Sequence, residues 1–204
     1  MKKSLVLLWI AFFVLGLCGL NSAHAQLILT FEDLYPGYET ADFLPSNYMG
    51  FTWDPNSAWI TKNFWPGSGY DYGTIGNVSL FTNWAADISY SNGTFSLYDA
   101  YITAAWNSGQ DVTVEGWRSG SLVYSNTIIT SWDGPYHWDF NFRNVDQVWF
   151  KPGDLGTNAG LGGWGEFIAI DNINMVPEPA TILLLASGLL GLGVVARFRR
   201  KKKS

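Results

Sequence analysis

The sequence predicts an all-β chain: an antiparallel β-sandwich of jelly-roll type, flanked by an N-terminal signal-peptide helix and a C-terminal transmembrane helix. Short apolar or alternating runs recur roughly every ten residues between clusters of Gly, Asn, Asp, Ser and Pro, which is typical of strands joined by turns. Helical periodicity is nearly absent between residues 26 and 176. Long apolar runs lie instead at the two ends of the chain, next to lysines and arginines.

The segments with the composition of strands are residues 27–31, 50–53, 58–61, 78–81, 88–91, 94–97, 100–106, 111–117, 121–130, 136–142, 147–151 and 166–175. Two of them alternate with a period of two, so that Trp138, Phe140 and Phe142 share one face, as do Val112 and Val114. The Ser119-Gly120 pair predicts a hairpin turn. Residues 33–76 are rich in Pro, Gly, Asn and aromatic residues and predict long loops across the sandwich.

The N-terminus has the three parts of a secretory signal peptide. Met1-Lys2-Lys3 is a positive start, an apolar run follows at residues 5–20, and Ala23-His24-Ala25 is a small-x-small cleavage site before Gln26. We therefore predict a signal peptide over residues 1–25. Its removal takes away Cys18, the only cysteine, so the exported domain over residues 26–176 must be stabilised by a core without disulfides.

Charge separates the exported domain from the two ends of the chain. Residues 26–176 hold four basic and 16 acidic side chains, a formal charge of 4 − 16 = −12. That balance argues against nucleic acid as a partner, because phosphates require basic neutralisation, and it suits cations or neutral ligands better. His137 is the only histidine after the predicted cleavage site, so a multi-histidine metal site is not available and we expect a solvated or hydrogen-bonded side chain.

The last 28 residues, 177–204, form a tripartite tail. Pro177-Glu178-Pro179 is followed by an uncharged apolar run at residues 180–196, which is just long enough to cross a bilayer as a helix. Cations that flank a span stay on the cytoplasmic side, so the preceding domain should lie outside the membrane. The basic tail at residues 197–203 supplies these cations: Arg197, Arg199, Arg200, Lys201, Lys202 and Lys203.

This tail closely resembles the PEP-CTERM sorting signal of bacteria that make exopolysaccharide. The resemblance implies recognition and cleavage near Pro177-Glu178-Pro179 by an exosortase-type membrane transpeptidase. It also implies an inner-membrane anchored precursor with its exported domain in the periplasm, and later delivery to the cell surface or extracellular matrix. The alternative is an ordinary C-terminal anchor helix.

The exported domain has a second, looser resemblance. Gly50-Phe51-Thr52-Trp53, residues 100–107 and 112–116, and Phe167-Ile168-Ala169-Ile170-Asp171-Asn172-Ile173 look like secreted bacterial β-sandwich proteins of unassigned activity. The last segment is also similar to the final strand of carbohydrate-binding jelly-roll modules. That similarity implies a structural Ca²⁺ held by Glu32 and Asp171, with Asp33 as a weaker candidate; ordinary strand-end carboxylates are the alternative.

Aromatic residues are the other candidates for function. Ten of the 11 tryptophans lie after residue 26, more than a core of this size needs. Trp138 and Trp149 sit in predicted strands and should be buried. Others lie in loop-like surroundings and are predicted to stack on a ligand, although they could instead close the ends of the sandwich. These candidates are Trp53, Trp59, Trp65, Tyr70, Tyr72, Trp132 and Trp164.

The sequence therefore predicts an exported, noncatalytic protein of the cell surface or exopolysaccharide matrix, sorted through its tail. One alternative is a dedicated carbohydrate-binding module. A second alternative is a secreted glycan-active enzyme, which would need a pair of carboxylates; nothing in the sequence selects a pair among the 16 acidic residues of the domain. We expect no enzymatic activity.

Overall fold

A computed structural model of the chain describes residues 26–82, 86–91 and 93–178. The predicted signal peptide at residues 1–25, Pro179, the predicted span at residues 180–196 and the basic tail lie outside the described residues. Within the described part of the chain, no helix has the length and apolarity needed to cross a membrane.

Strands make up most of the described chain. They are β1 (Leu27–Leu29), β2 (Ala41–Phe43), β3 (Asn47–Tyr48), β4 (Phe51–Trp53), β5 (Ala58–Thr61), β6 (Val78–Thr82), β7 (Ala86–Ser89), β8 (Phe95–Ala104), β9 (Asn107–Arg118), β10 (Ser121–Ser131), β11 (His137–Val145), β12 (Gln147–Pro152), β13 (Thr157–Asn158) and β14 (Ile168–Pro177). A 3-10 turn at Glu32–Leu34 follows β1, and one short helix, α1 (Gly69–Gly73), lies between β5 and β6.

These strands form two antiparallel sheets, which confirms the all-β sandwich. The first sheet has the order β11-β8-β14-β6-β5-β2, with β1 also paired to β14. The second sheet has the order β10-β9-β12-β7-β4-β3, with β13 also paired to β9. In the first sheet β14 is bonded to β8 on one edge and to β6 and β1 on the other, so it is a central strand.

The predicted strands overlap observed ones, with two kinds of correction. Segments 94–97 and 100–106 form one strand, β8, which continues through register shifts against β11 and β14 between Leu97 and Asp99. β2, β3 and β13 were not predicted because two or three residues cannot display a period. Residues 33–76, predicted as loops apart from two strands, also contain β2, β3 and α1.

The main core fills the space between the two sheets. Val112, Val114, Phe140 and Phe142 are buried in it, as the two-residue period predicts, whereas Trp138 and Trp149, which were also predicted to be buried, are only partly buried. The Ser119-Gly120 turn is also confirmed. Both residues have positive φ, 50° and 74°, as a two-residue type I′ hairpin turn requires, and they connect β9 to β10 in register.

The outer face of the first sheet carries a second apolar cluster. Neighbouring residues of a strand point to opposite faces, so Leu80 and Ile170 enter the main core whereas Phe81 and Ala169 enter this second cluster. Ile60 of β5 joins it, and all four residues of β5 are buried because both faces of this strand are covered. A sheet covered on both faces can hold a pocket above it as well as a core below it.

Helix α1 covers this second cluster because two glycines let it approach β8 closely. A Cβ on Gly69 would lie 1.8 Å from the Ala104 carbonyl oxygen, and one on Gly73 would lie 2.5 Å from Thr103. The Gly69 N–H donates to the Ala105 carbonyl at 2.9 Å. Ser68 caps the helix by accepting a hydrogen bond from the backbone N–H of residue 70. These contacts, rather than helix propensity, hold a five-residue helix in place.

Candidate functional site

An aromatic cleft of about 580 Å³ lies over the second cluster. We call it the aromatic cleft and define it by its lining residues, which come from β2, β5, β6, α1 and three connecting segments: Ala41, Ile60, Phe64, Trp65, Pro66, Tyr70, Phe81, Trp106, Leu161, Gly162, Gly163, Trp164 and Phe167. Of these described lining residues, none carries a charge, a carboxamide or an aliphatic hydroxyl.

Three rings form the centre of the aromatic cleft. The Trp65 ring stacks on Tyr70 with centroids 6.0 Å apart and meets Trp106 edge-on at 5.4 Å. Tyr70 and Trp106 are perpendicular, with centroids 5.5 Å apart. Phe81 packs edge-on against Tyr70 at 5.6 Å. Such edge-to-face contacts fix the ring orientations, so the centre of the cleft is preformed.

The rim of the cleft is more exposed than its floor. Trp164 is 82% exposed and Trp65 is 48% exposed, whereas Tyr70 is fully buried. Gly163, next to Trp164, lies against the ring of Trp106, where a Cβ would be 2.3 Å from ring atoms. Only glycine fits there, so the glycine run at residues 160–165 lets this loop close one side of the cleft.

Two buried amides hold that loop against β9. The Asn107 side-chain N–H donates to the Gly165 carbonyl at 2.8 Å and to the Gln110 side-chain oxygen at 2.9 Å. The Gln110 side-chain N–H donates in turn to the Glu166 carbonyl at 3.0 Å. Because buried amides are costly to leave unpaired, these bonds fix the position from which Trp164 projects.

The Tyr70 hydroxyl is an unusual feature of the cleft floor. It is buried, and no hydrogen-bond partner for it exists among the residues that the structure describes. Burial also raises the pKa of Tyr70 above its ordinary value, so the phenol stays protonated. A protonated, unpaired phenol is a hydrogen-bond donor that an incoming acceptor could satisfy.

The structure sorts the predicted stacking residues into two groups. Trp65 and Tyr70, which are near neighbours in the sequence, are brought together with the distant Trp164 in the aromatic cleft, where Tyr70 is fully buried. Trp53 and Trp59 are buried in the main core at 2% and 8% exposure, so their assignment as exposed stacking residues is wrong. Both tryptophans lie in strands that the sequence predicted, but the neighbouring Asp, Pro, Asn and Ser residues did not reveal that their rings face the core.

The remaining two aromatics lie outside the cleft. Trp132 is partly buried and contacts Tyr72 of α1, with ring centroids 5.5 Å apart.

Trp106, which lies at the centre of the cleft, was not among the predicted candidates. It stood at the end of a predicted strand, and nothing in the sequence indicated that the strand ended beside Trp65.

Glu32 and Asp171 converge on the loop at residues 74–78. The Glu32 carboxylate accepts hydrogen bonds from the backbone N–H groups of Asn77 at 2.7 Å and Val78 at 3.1 Å. Asp171, fully buried in β14, accepts from the N–H of Ile75 at 2.7 Å. The two predicted ligands therefore lie close together, and each holds the backbone of the same loop.

Burial is the main cause that raises the pKa of Asp171; the N–H groups of Ile75 and Asn172 lower it, the charge of Glu32 raises it and the charge of Lys62 lowers it, and the net pKa is about 8. A cation beside two hard-oxygen ligands would offset this burial. Gly76 lets the Glu32 carboxylate pack closely against the loop backbone, because a Cβ there would lie 2.4 Å from the Glu32 Oε1. Carboxylates are ligands that Ca²⁺ prefers, and in this structure all four of these carboxylate oxygens accept N–H hydrogen bonds.

Two other acidic groups have partners of their own. Asp33, the weaker calcium candidate, accepts the hydrogen bond of the Tyr48 hydroxyl instead. Asp99 lies 3.2 Å from His137 Nε2 on the outer face of the first sheet, with Asp139 beside them. His137 is therefore exposed and hydrogen-bonded, in agreement with its prediction.

The first two residues of the sorting motif belong to the folded domain. Pro177 is the last residue of β14 and pairs with Phe95. The Glu178 N–H donates to the Thr94 carbonyl at 2.7 Å, and the Glu178 carboxylate accepts a hydrogen bond from the buried Ser96 hydroxyl at 2.7 Å. The fold therefore leaves no spacer between the sandwich and the motif.

Comparison with known proteins finds similarity for the tail and for the fold. Residues 176–201 match the PEP-CTERM protein-sorting motif, so the chain carries this sorting motif as the tail predicts. The structure of a DUF4465 family protein from Bacteroides caccae has 12% identity and a TM-score of 0.48, over 75% of this chain and 99% of that chain. A family 29 carbohydrate binding module from Piromyces equi has 11% identity and a TM-score of 0.37, over 76% of this chain and 90% of that one. No curated protein matches the sequence.

Replacing Tyr70 by Phe removes only the buried hydroxyl. Because this hydroxyl has no partner in the described chain, we expect the free energy of unfolding to stay unchanged or to rise by up to about 1 kcal/mol. Tyr48→Phe is the matched control: its hydroxyl donates to Asp33, and its loss should cost about 1–3 kcal/mol. Denaturant unfolding followed by tryptophan fluorescence measures both variants. Equal losses would mean that the Tyr70 hydroxyl is bonded.

Proposed function

We propose that the chain is an exported, noncatalytic protein of the cell surface or exopolysaccharide matrix, and that it binds saccharide in the aromatic cleft. The observation that carries this proposal is that Trp65, Trp106 and Trp164 line one cleft together with Tyr70, whose buried hydroxyl has no partner among the described residues. Aromatic faces stack on the C–H faces of pyranose rings, and an unpaired donor can bond a sugar oxygen.

Binding suits this cleft better than hydrolysis. Glycoside hydrolysis typically uses two carboxylates on either side of the scissile bond. None of the described residues that line the aromatic cleft is an aspartate or a glutamate. A cleft with ring faces and a neutral donor can hold a sugar, but it offers no general acid of its own. The carbohydrate-binding module is therefore the preferred alternative, and the glycan-active enzyme is the weaker one.

Trp164→Ala and Trp65→Ala should each weaken binding of the host's exopolysaccharide by roughly tenfold or more. Each substitution removes an aromatic ring on which a sugar can stack and leaves the main core undisturbed. Trp132→Ala is the matched control, since its ring contacts Tyr72 outside the cleft and its loss should leave affinity unchanged. Calorimetric titration of purified protein with exopolysaccharide measures the three affinities. Equal effects in all three variants would contradict a cleft-specific site.

We further propose that an exosortase-type membrane transpeptidase processes the tail. Before processing, residues 180–196 would anchor the precursor in the inner membrane, with the basic tail in the cytoplasm and the sandwich in the periplasm. After processing, the sandwich would reach the surface or matrix. The matched sorting motif at residues 176–201 supports this route.

The contacts of Glu178 make processing depend on local opening of the domain. The Ser96 hydroxyl and the Thr94 carbonyl hold the motif glutamate against β8, so an extended substrate segment would require these bonds to break. A hydrogen bond to a charged acceptor contributes about 1.5–3 kcal/mol. Removal of the Ser96–Glu178 hydrogen bond should therefore increase, by roughly tenfold or more, the fraction of molecules in which the motif glutamate is detached from β8.

Ser96→Ala should accelerate removal of the tail, because the variant frees the Glu178 carboxylate. Ser79→Ala is the matched control: Ser79 is also a buried serine, but its hydroxyl bonds Thr74 at 2.7 Å, away from the motif. Pulse-chase labelling with C-terminal mass analysis, in hosts with and without exosortase, measures the processed fraction. Equal acceleration in both serine variants would point to general destabilisation and against a local hold on the motif.

We also propose a structural Ca²⁺ held by Glu32 and Asp171. The convergence of both carboxylates on one loop, together with the burial of Asp171, supports this site. The ion would contribute stability to a domain that has no cysteine after the predicted cleavage. It would take no part in ligand binding at the aromatic cleft.

Added Ca²⁺ at 100 times its Kd should stabilise the protein by about 2.7 kcal/mol, and a chelator should remove this gain. Asp171→Asn and Glu32→Gln should abolish the response because each removes a ligand. Asp33→Asn should retain it, although the loss of the Tyr48 hydrogen bond lowers the baseline stability. Thermal unfolding with Ca²⁺ and with chelator measures each response; a melting temperature that neither reagent shifts would overturn the site.

A further inference from the structure

We propose that the aromatic cleft selects an uncharged pyranose that carries a methyl or acetyl group, as in a 6-deoxy or O-acetylated sugar. This inference rests on the proposed saccharide binding and assigns the class of sugar that the cleft favours. The observations behind it are the composition of the lining, the gradient of exposure from rim to floor, and the charge of the domain.

The lining offers few partners for sugar hydroxyls. An ordinary hexose presents several hydroxyl groups, and each one that leaves water must find a hydrogen bond or lose free energy. Among the described lining residues, the polar side-chain groups are the Tyr70 hydroxyl and the indole N–H groups of three tryptophans, and no carboxylate, guanidinium or carboxamide accompanies them. A sugar with fewer hydroxyls, or with acylated ones, loses less on entering such a cleft.

Depth in the cleft separates two kinds of contact. At the rim, Trp164 and Trp65 expose ring faces on which a pyranose can stack. At the floor, Ile60 and Tyr70 are fully buried and Trp106 is 5% exposed, so a group that reaches them is desolvated. A methyl group suits this apolar floor, and a ring oxygen or acetyl carbonyl would accept the Tyr70 hydrogen bond once the groups that cover this hydroxyl move aside.

Charge excludes acidic sugars from the preferred class. The exported domain has 16 acidic and four basic residues, and none of the basic ones (Lys62, Arg118, Arg143, Lys151) is among the residues that line the cleft. A uronate would therefore meet repulsion at long range and no cation in the cleft. A neutral sugar is not repelled by the acidic domain and needs no cation in the cleft.

Two matched pairs of small glycosides test the assignment. Methyl α-L-fucopyranoside differs from methyl α-L-galactopyranoside only in lacking the C6 hydroxyl, and methyl 6-O-acetyl-α-D-glucopyranoside differs from methyl α-D-glucopyranoside only in one acetyl group. Calorimetry with the full-length chain in lipid nanodiscs, with empty nanodiscs as the blank, measures the four affinities. We expect the deoxy or acetylated member of at least one pair to bind roughly fourfold to tenfold tighter than its match.

Tyr70→Phe adds a readout that packing alone would not produce. The variant should fold with unchanged or higher stability, because the hydroxyl is unpaired in the free protein, and yet bind the preferred glycoside roughly tenfold more weakly. If the variant is stable and its affinity is unchanged, the role assigned to Tyr70 is wrong.

The outcomes separate this inference from the proposed function. Equal affinity within both pairs, or tighter binding of the hydroxylated members, overturns the sugar class while saccharide binding at the cleft remains. No binding of any glycoside or of exopolysaccharide overturns both proposals. Binding of a simple alkyl chain such as octanoate in the absence of any saccharide binding would also overturn both, and would assign the cleft to apolar ligands.

Discussion

The pairing of β14 on both of its edges is the constraint on which the rest of this structure depends. The strand is bonded to β8 along one edge and to β6 and β1 along the other, so it cannot move without breaking two ladders. Its alternating side chains connect the functional regions: Ile170 enters the main core, Ala169 supports the aromatic cleft, and Asp171 holds the loop beside Glu32. The same strand ends at Pro177, so the sorting motif starts from a fixed point.

The fold was predictable wherever a strand has one buried and one exposed face. The valines of β9 and the phenylalanines of β11 have such a period, and their burial follows it. Three short strands were not predictable because they have too few residues to display a pattern. Helix α1 was not predictable either: its Gly-Tyr-Asp-Tyr-Gly sequence is a poor helix former, and the contacts of Gly69 and Gly73 with β8 become visible only in three dimensions.

The candidate site was only partly predictable. Aromatic residues in loop-like surroundings pointed to Trp65, Tyr70 and Trp164 in the cleft, but the same criterion selected Trp53 and Trp59, which belong to the main core. Burial depends on which sheet face a short strand presents, and sequence patterns over three or four residues do not determine it. The acidic pair was indicated by its resemblance to carbohydrate-binding modules, whereas the loop that Glu32 and Asp171 share appears only in the fold.

The central claim is that saccharide binds over the aromatic cleft and not elsewhere on the sandwich. Fluorine NMR of the chain labelled with 5-fluorotryptophan tests it most directly, with resonances assigned by single substitutions and exopolysaccharide added in steps. The resonances of Trp164, Trp65 and Trp106 should shift, while those of the core residues Trp53 and Trp59 stay in place. Unchanged cleft resonances, or shifts confined to tryptophans outside the cleft, would contradict the account.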